Sequence, residues 1–191
     1  IRRQSLESIG NFKVQIDQMK ADGNTILCTI GHICRGKGFD FAIEASDILK
    51  RNGIKFKWVF IGKVLEEDLL KFITDKGLDD NILLVGIQSN PYPYISLSDI
   101  VVHPSRFEGK SIALDEAKIL CKPIVVTNFS TVGDQFESGK NGTICEMSGK
   151  AVANAVIELI NNPSLQDSYR MYLESHIVDN SSEVNKLYKY L

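Results

Sequence analysis

From Thr25 onward the chain alternates short apolar, β-branched runs with longer stretches whose apolar residues recur every three to four positions. Short runs bounded by turn residues have the pattern of buried strands, and the longer stretches that of helices packed on them. The pattern predicts strands at 26–31, 57–61, 82–85, 99–103, 123–127 and 143–145, and helices at 39–52, 66–76, 92–98, 111–121 and 149–161. In the first of these helices Phe39, Ala42, Ile43, Ala45, Ile48 and Leu49 fit one face. Asn161-Asn162-Pro163 ends the last, and Ser164 can cap a further helix toward Ser175. Strand–helix alternation predicts an α/β fold, a three-layer α/β/α domain with a mostly parallel six-stranded sheet, because parallel neighbours need crossover connections. That domain covers 25–180. It is preceded by residues 1–24, with a helical piece around Phe12 to Met19, and followed by a terminal helix at 181–191 carrying Leu187, Tyr188 and Leu191.

In a doubly wound sheet of order 3-2-1-4-5-6, ligands bind beyond the carboxyl ends of the strands, where the order reverses between the first and the fourth. Here those ends are Gly31-His32 and His103-Pro104. The run Ile100-Val101-Val102 stops at Pro104, and a loop composition follows as far as Lys110. Ile112, Leu114, Ala117, Ile119 and Leu120 then suggest the apolar face of a helix opening at Lys110 or Ser111. Its unpaired N–H groups and positive dipole end form a seat for a phosphate. Glu108 on the loop and Glu116 in the helix flank that seat. Carboxylates make poor phosphate ligands but good acceptors for sugar hydroxyls, so the pair points to a nucleotide-linked sugar. Two solvated surface acids are the alternative.

Composition narrows the classes. With 191 residues and 43% hydrophobic content the chain is one ordinary domain, able to bury roughly 70% of its unfolded surface. A net charge of −2, a pI of about 6.0 and the absence of like-charge blocks argue against a nucleic-acid-binding face. No apolar run reaches membrane-spanning length and Ile1-Arg2-Arg3-Gln4 does not open a signal peptide, so a soluble, cytoplasmic protein is expected. The missing initial methionine suggests a fragment or processed product. Cys28, Cys34, Cys121 and Cys145 lack metal-site spacing and read as reduced core thiols.

Several motifs compete with the glutamate pair. Gly31-x4-Gly36-Lys37-Gly38 nearly spells a phosphate-binding P-loop, but Gly38 cannot supply the hydroxyl that ligates magnesium. His32, His103 and His176 are scattered and no Asp-x-Asp pair occurs, so no metal site is expected. His103, at the end of the fourth strand, either touches a ligand or is a hydrogen-bonded structural residue. Asp79-Asp80 and Asn90 to Tyr94 read as turns, Lys63 as a loop charge, and Arg106 and Lys110 as exposed charges or added positive potential at a phosphate. Thr131-Val132-Gly133-Asp134-Gln135 follows the fifth strand without an assigned role.

The segment 103–117 resembles the Glu-x7-Glu region of retaining, family 4 glycosyltransferases, whose two-domain architecture is called GT-B. The likeness runs from about Thr25 to Pro163, through Gly31 to Gly38, Trp58 to Gly62, Ile82 to Gly86, Pro104 to Ala117, Lys122 to Thr127 and Gly139 to Thr143. These blocks follow the order and spacing of that family's C-terminal, Rossmann-like domain. Glu-Gly-Lys-Ser at 108–111 resembles the subgroup that builds bacterial surface polysaccharides: capsule, lipopolysaccharide or exopolysaccharide.

The resemblance implies that Glu108 approaches the donor sugar's hydroxyls, that Glu116 holds the ribose, and that the amides of Gly109, Lys110 and Ser111 face the diphosphate. It makes Lys37 a catalytic residue together with Glu108 and has it contact the diphosphate. His32 stands where the family carries arginine, which shifts diphosphate stabilisation toward Lys37, because a histidine near its ordinary pKa is mostly neutral at pH 7. Gly86, Ile87 and Gln88 correspond to the residues against which the nucleobase rests. The implied activity is retaining hexosyl transfer from a UDP- or GDP-linked sugar, without metal or other cofactor, to a glycan or lipid-linked acceptor. The implied partner is a missing N-terminal acceptor-binding domain, without which the isolated domain is inactive and through which the protein lies peripherally at the inner membrane face. Residues 1–24 then resemble the interdomain connection. Two other readings keep the same crevice: a nonenzymatic nucleotide-binding or regulatory module, and a relative of sugar-nucleotide epimerases.

Overall fold

Parallel pairing runs through all six predicted strands. The computed structural model describes residues 2–176, with side chains from residue 10 onward. Its strands are β1 (Thr25–Ile30), β2 (Phe56–Ile61), β3 (Ile82–Gly86), β4 (Ile100–His103), β5 (Ile124–Thr127) and β6 (Thr143–Cys145). They lie in the order β3-β2-β1-β4-β5-β6, every neighbour parallel, as the alternation requires. The helices are α1 (Arg2–Ala21), α2 (Phe39–Arg51), α3 (Asp68–Asp75), α4 (Tyr92–Leu97), α5 (Ile112–Ile119), α6 (Gly149–Asn161) and α7 (Pro163–Ser175). The expected terminal helix at 181–191 lies outside the described residues.

The four central strands, β1, β2, β4 and β5, bury both faces, and their residues divide by parity. Leu27, Trp58, Phe60, Val102 and Val125 pack against α2, α3 and α6. Ile26, Cys28, Val59 and Ile61 point the other way, toward Ile16 of α1 and Tyr94 of α4, while Val101, Ile124 and Val126 meet Leu114 and Ala117 of α5. This is why the strands read as continuous apolar runs instead of alternating ones. Thr29 is the polar exception: its hydroxyl donates to Val102 O at 2.8 Å and accepts from the buried Trp58 indole at 3.0 Å, tying β1 to its neighbours on both sides.

Helix ends follow local chemistry. Ser111, Ser148 and Asn162 cap α5, α6 and α7 with side-chain oxygens that accept from the amide three residues on. Three expectations are corrected. Asn162, not Ser164, caps α7, because the helix already begins at Pro163. The apolar face of α5 is narrower than the pattern suggests: Leu114 and Ala117 are buried, but Ile112 and Ile119 are exposed, because the sheet beneath meets only one side of this short helix. Of the four thiols, which are all free, only Cys28 is a core residue; Cys34, Cys121 and Cys145 are half-buried, since they sit at element ends and in loops rather than inside strands.

Candidate functional site

The loops that leave β1 and β4 meet where the strand order reverses. Gly38 permits their approach: its φ is +70°, and a Cβ there would lie 1.8 Å from Pro104 O. Only glycine takes that conformation in that space. Around this contact the Arg106 amide donates to Gly36 O at 3.1 Å. The Arg106 guanidinium forms a fork with Asp40 (2.7 Å to each oxygen), donates to Arg35 O and stacks on the Phe41 ring at 3.7 Å. Arg106 is therefore a paired clamp between the β4–α5 loop and α2 and not a free surface charge.

This junction carries Lys37 to Glu108. The Lys37 ammonium donates to both carboxylate oxygens at 2.8 Å, and His103 Nε2 lies 3.0 Å from Oε1. An ionised carboxylate only accepts, so Nε2 carries the proton in that contact. Burial opposes ionisation of Glu108, yet the hydrogen bonds from His103 and Lys37 outweigh it and bring its pKa down from 4.5 to about 2. His103 is itself buried, its Nε2 also 3.3 Å from Ser111 Oγ and its ring edge-on to Phe129. His103 is thus hydrogen-bonded, as one of its two sequence readings expects.

The α5 N-terminus is partly engaged already. Leu114 N donates to Ser111 Oγ, and Ser111 N donates to Gln135 Oε1 at 2.7 Å. Of the three amides expected to face a diphosphate, that of Ser111 is thus taken. Those of Gly109 and Lys110 have no acceptor among the described residues, nor do those of Ile112 and Ala113 in the first helical turn. The Thr131 hydroxyl donates to Glu108 O at 2.7 Å. The segment Thr131 to Gln135 stood out in the sequence without a role; the spacing of Thr131 and Gln135 around the buried Val132 and Phe136 is the signal that could have supplied it.

The remaining expected residues are more dispersed. Glu116 is half-buried on α5, and its carboxylate pushes the nearby Tyr92 phenol of α4 above its ordinary range. His32 is exposed at the end of β1, Lys110 is exposed and 3.9 Å from Asp115, and Ile87 is exposed. Gln88 folds back to donate to Val85 O at 2.6 Å. A cavity of about 420 Å3 opens between α5, the 134–141 loop and α7; it borders Lys110 and Gln135 but not Lys37, His103 or Glu108. The described residues hold no set of three His, Cys, Asp or Glu side chains grouped as metal ligands, and no helix long and apolar enough to cross a membrane.

The family described as glycosyl transferases group 1 matches residues 12–175. The chain belongs to that family. Among curated group 1 relatives, the alpha-D-kanosaminyltransferase of Streptomyces kanamyceticus is 31% identical over 76% of this chain and 39% of its own length. The poly(ribitol-phosphate) alpha-N-acetylglucosaminyltransferase of Staphylococcus aureus is 29% identical over 85% of this chain and 34% of its own. The chain therefore spans little more than a third of these relatives. Anabaena HepE, solved with UDP and glucose, superposes with a TM-score of 0.79 at 18% identity, over 95% of this chain and 53% of that one. The C-terminal domain of Francisella tularensis LpcC superposes with a TM-score of 0.70 at 23% identity, over 82% of this chain and 87% of that one. The fold of this glycosyl transferases group 1 chain is accordingly the Rossmann-like C-terminal half of GT-B.

Proposed function

We propose that this chain is the donor-binding half of a retaining glycosyltransferase that uses a UDP- or GDP-linked sugar in the synthesis of a bacterial surface glycan. The observation that carries the proposal is the convergence of the Lys37 ammonium, the Glu108 carboxylate and the unengaged Gly109 and Lys110 amides at the strand-order reversal. The names of the relatives and the UDP bound to HepE support the same substrate class.

The chemistry follows from charge. Lys37 is paired with Glu108; a diphosphate offers the ammonium a second anionic partner, with the loop amides as further donors. Glu108, ionised through the neutral range, accepts from sugar hydroxyls. As the glycosyl bond breaks, negative charge grows on the departing diphosphate, where Lys37 and the amides are already oriented, so little reorganisation is needed in the transition state. No protein nucleophile enters this scheme. The acceptor and the wall that excludes water belong to a preceding domain.

A thermal-shift panel of UDP-, GDP- and ADP-sugars tests the donor class, since a ligand selective for the folded chain raises its apparent stability. Stabilisation by one base is expected, and further stabilisation by its matching sugar. A flat response to all three, together with no binding by calorimetry, would remove the donor assignment.

A further inference from the structure

The turn after β5 holds the loop that carries Glu108 at both of its ends. Val132 and Phe136 are buried beside Leu114, Ala117 and Phe129, so the 3-10 turn Val132–Asp134 is anchored in the core. Between and beside these anchors the polar residues face the loop. Thr131 Oγ1 donates to Glu108 O at 2.7 Å and lies 3.3 Å from Gly109 O. The Gln135 amide reads both backbone groups of Ser111, accepting from its N–H at 2.7 Å and donating to its C=O at 3.2 Å. Lys118 Nζ, paired at 2.8 Å with Asp115, donates to Gln135 O at 3.0 Å and fixes the turn to α5 a third time.

We propose that Thr131 and Gln135 are positioning residues for donor binding, forming a clasp that sets the curvature of the 108–111 loop so that the Gly109 and Lys110 amides stay unengaged for a diphosphate. The clasp acts through backbone groups alone. It draws the Glu108 carbonyl toward Thr131 and pins Ser111, leaving the two amides between these points without an internal acceptor. A loop free to relax would turn those amides away or pair them internally, and ordering it again would cost affinity on binding. The Ser111 amide, by contrast, is spent on the clasp, and its role is to be held. The proposal rests on the assignment of the crevice to a nucleoside diphosphate group.

The test compares wild type with Gln135→Leu, Thr131→Val and Thr131→Ser, titrating each 191-residue chain with UDP and with uridine, and in parallel with GDP and guanosine. Gln135→Leu and Thr131→Val should weaken the diphosphate about fivefold to tenfold, the scale of one lost hydrogen bond, and leave the nucleoside unchanged. Thr131→Ser keeps the hydroxyl and should restore the diphosphate. Amide hydrogen exchange supplies a readout independent of ligand: protection of Ser111 should fall in Gln135→Leu while β4 and β5 keep theirs. Equal losses for nucleoside and diphosphate would reveal general destabilisation and overturn the clasp. So would unchanged diphosphate affinity once Ser111 protection is lost. If wild type binds neither nucleotide the donor assignment fails, and with it the clasp's role in binding, while Ser111 exchange still reports whether the clasp forms.

Discussion

Glu108 is a carboxylate that two donors keep ionised while the surrounding protein removes its water, and its environment acts on both stability and binding. Its folded pKa of about 2 lies below its ordinary 4.5. Ionised Glu108 therefore contributes stability that is fully present above pH 4.5 and is lost as the pH falls toward 2. By linkage the total is on the order of 3 kcal/mol, roughly 2 kcal/mol of it gone by pH 3. Urea unfolding at pH 7 and pH 3 should show Glu108→Gln losing less stability between the two than wild type; equal losses would mean that Glu108 does not couple to acid unfolding. Binding separates the partners further. Lys37→Ala should weaken UDP or GDP by roughly 1–3 kcal/mol, as expected for a charge-assisted contact. Glu108→Gln should do the reverse, because it frees the ammonium and removes a like charge from the diphosphate's path, but should reduce the extra affinity that the sugar contributes. Calorimetry with the nucleotide and with its sugar reads both effects, and two unchanged affinities for the nucleotide would take Lys37 out of the site.

At the scale of elements, the junction of the β1 and β4 loops depends on one residue without a side chain. Gly38→Ala brings a methyl group against Pro104 O, and Gly53 provides a matched control, with φ of +72° and nothing within 4 Å of its Cβ position. Gly53→Ala should cost about 1 kcal/mol of backbone strain, and Gly38→Ala about 2–4 kcal/mol because overpacking is added. Chemical denaturation gives both numbers, and equal costs would show that the junction can open without penalty. The sequence made this junction legible only in part. Its apolar runs and turn residues located every strand, and the 3-2-1-4-5-6 order of a doubly wound sheet is the order found, so the meeting of Gly31 to Gly38 with residues 103–111 could be anticipated. What it could not reveal were contacts between loops. Arg106 looks like any surface arginine until Asp40 and Phe41 are found beside it, and Gln135 carries no periodic signature because its partner is a backbone amide 24 positions away. Ile112 and Ile119 misled for the opposite reason: helical period marks residues able to share a face, whereas burial depends on whether another element covers it.

At the scale of the whole molecule, the six strands and their helices supply one wall of a crevice. In the proposed function Lys37, Glu108 and the loop amides meet diphosphate and sugar, but among the described residues no second sheet faces them. The relatives cited above are much longer, this chain covering 39% and 34% of their lengths. On that proposal an open crevice should still bind, because an anionic ligand would meet a cation and oriented amides. Transfer is another matter. The acceptor hydroxyl must be held within reach of the anomeric carbon and bulk water kept out, and loss of that orientation forfeits an effective molarity of about 10⁵ M or more. The 191-residue chain should therefore bind its nucleotide sugar weakly and transfer no sugar to a glycan or lipid-linked acceptor, whereas a longer polypeptide that adds an N-terminal acceptor-binding domain should transfer it with the anomeric configuration kept. The measurement is product formation by both proteins with the donor identified by thermal shift, together with the product's anomeric configuration by NMR. Robust transfer by the short chain would show that one wall suffices, and binding without transfer by either protein would favour a nucleotide-binding module that keeps the crevice and performs no chemistry.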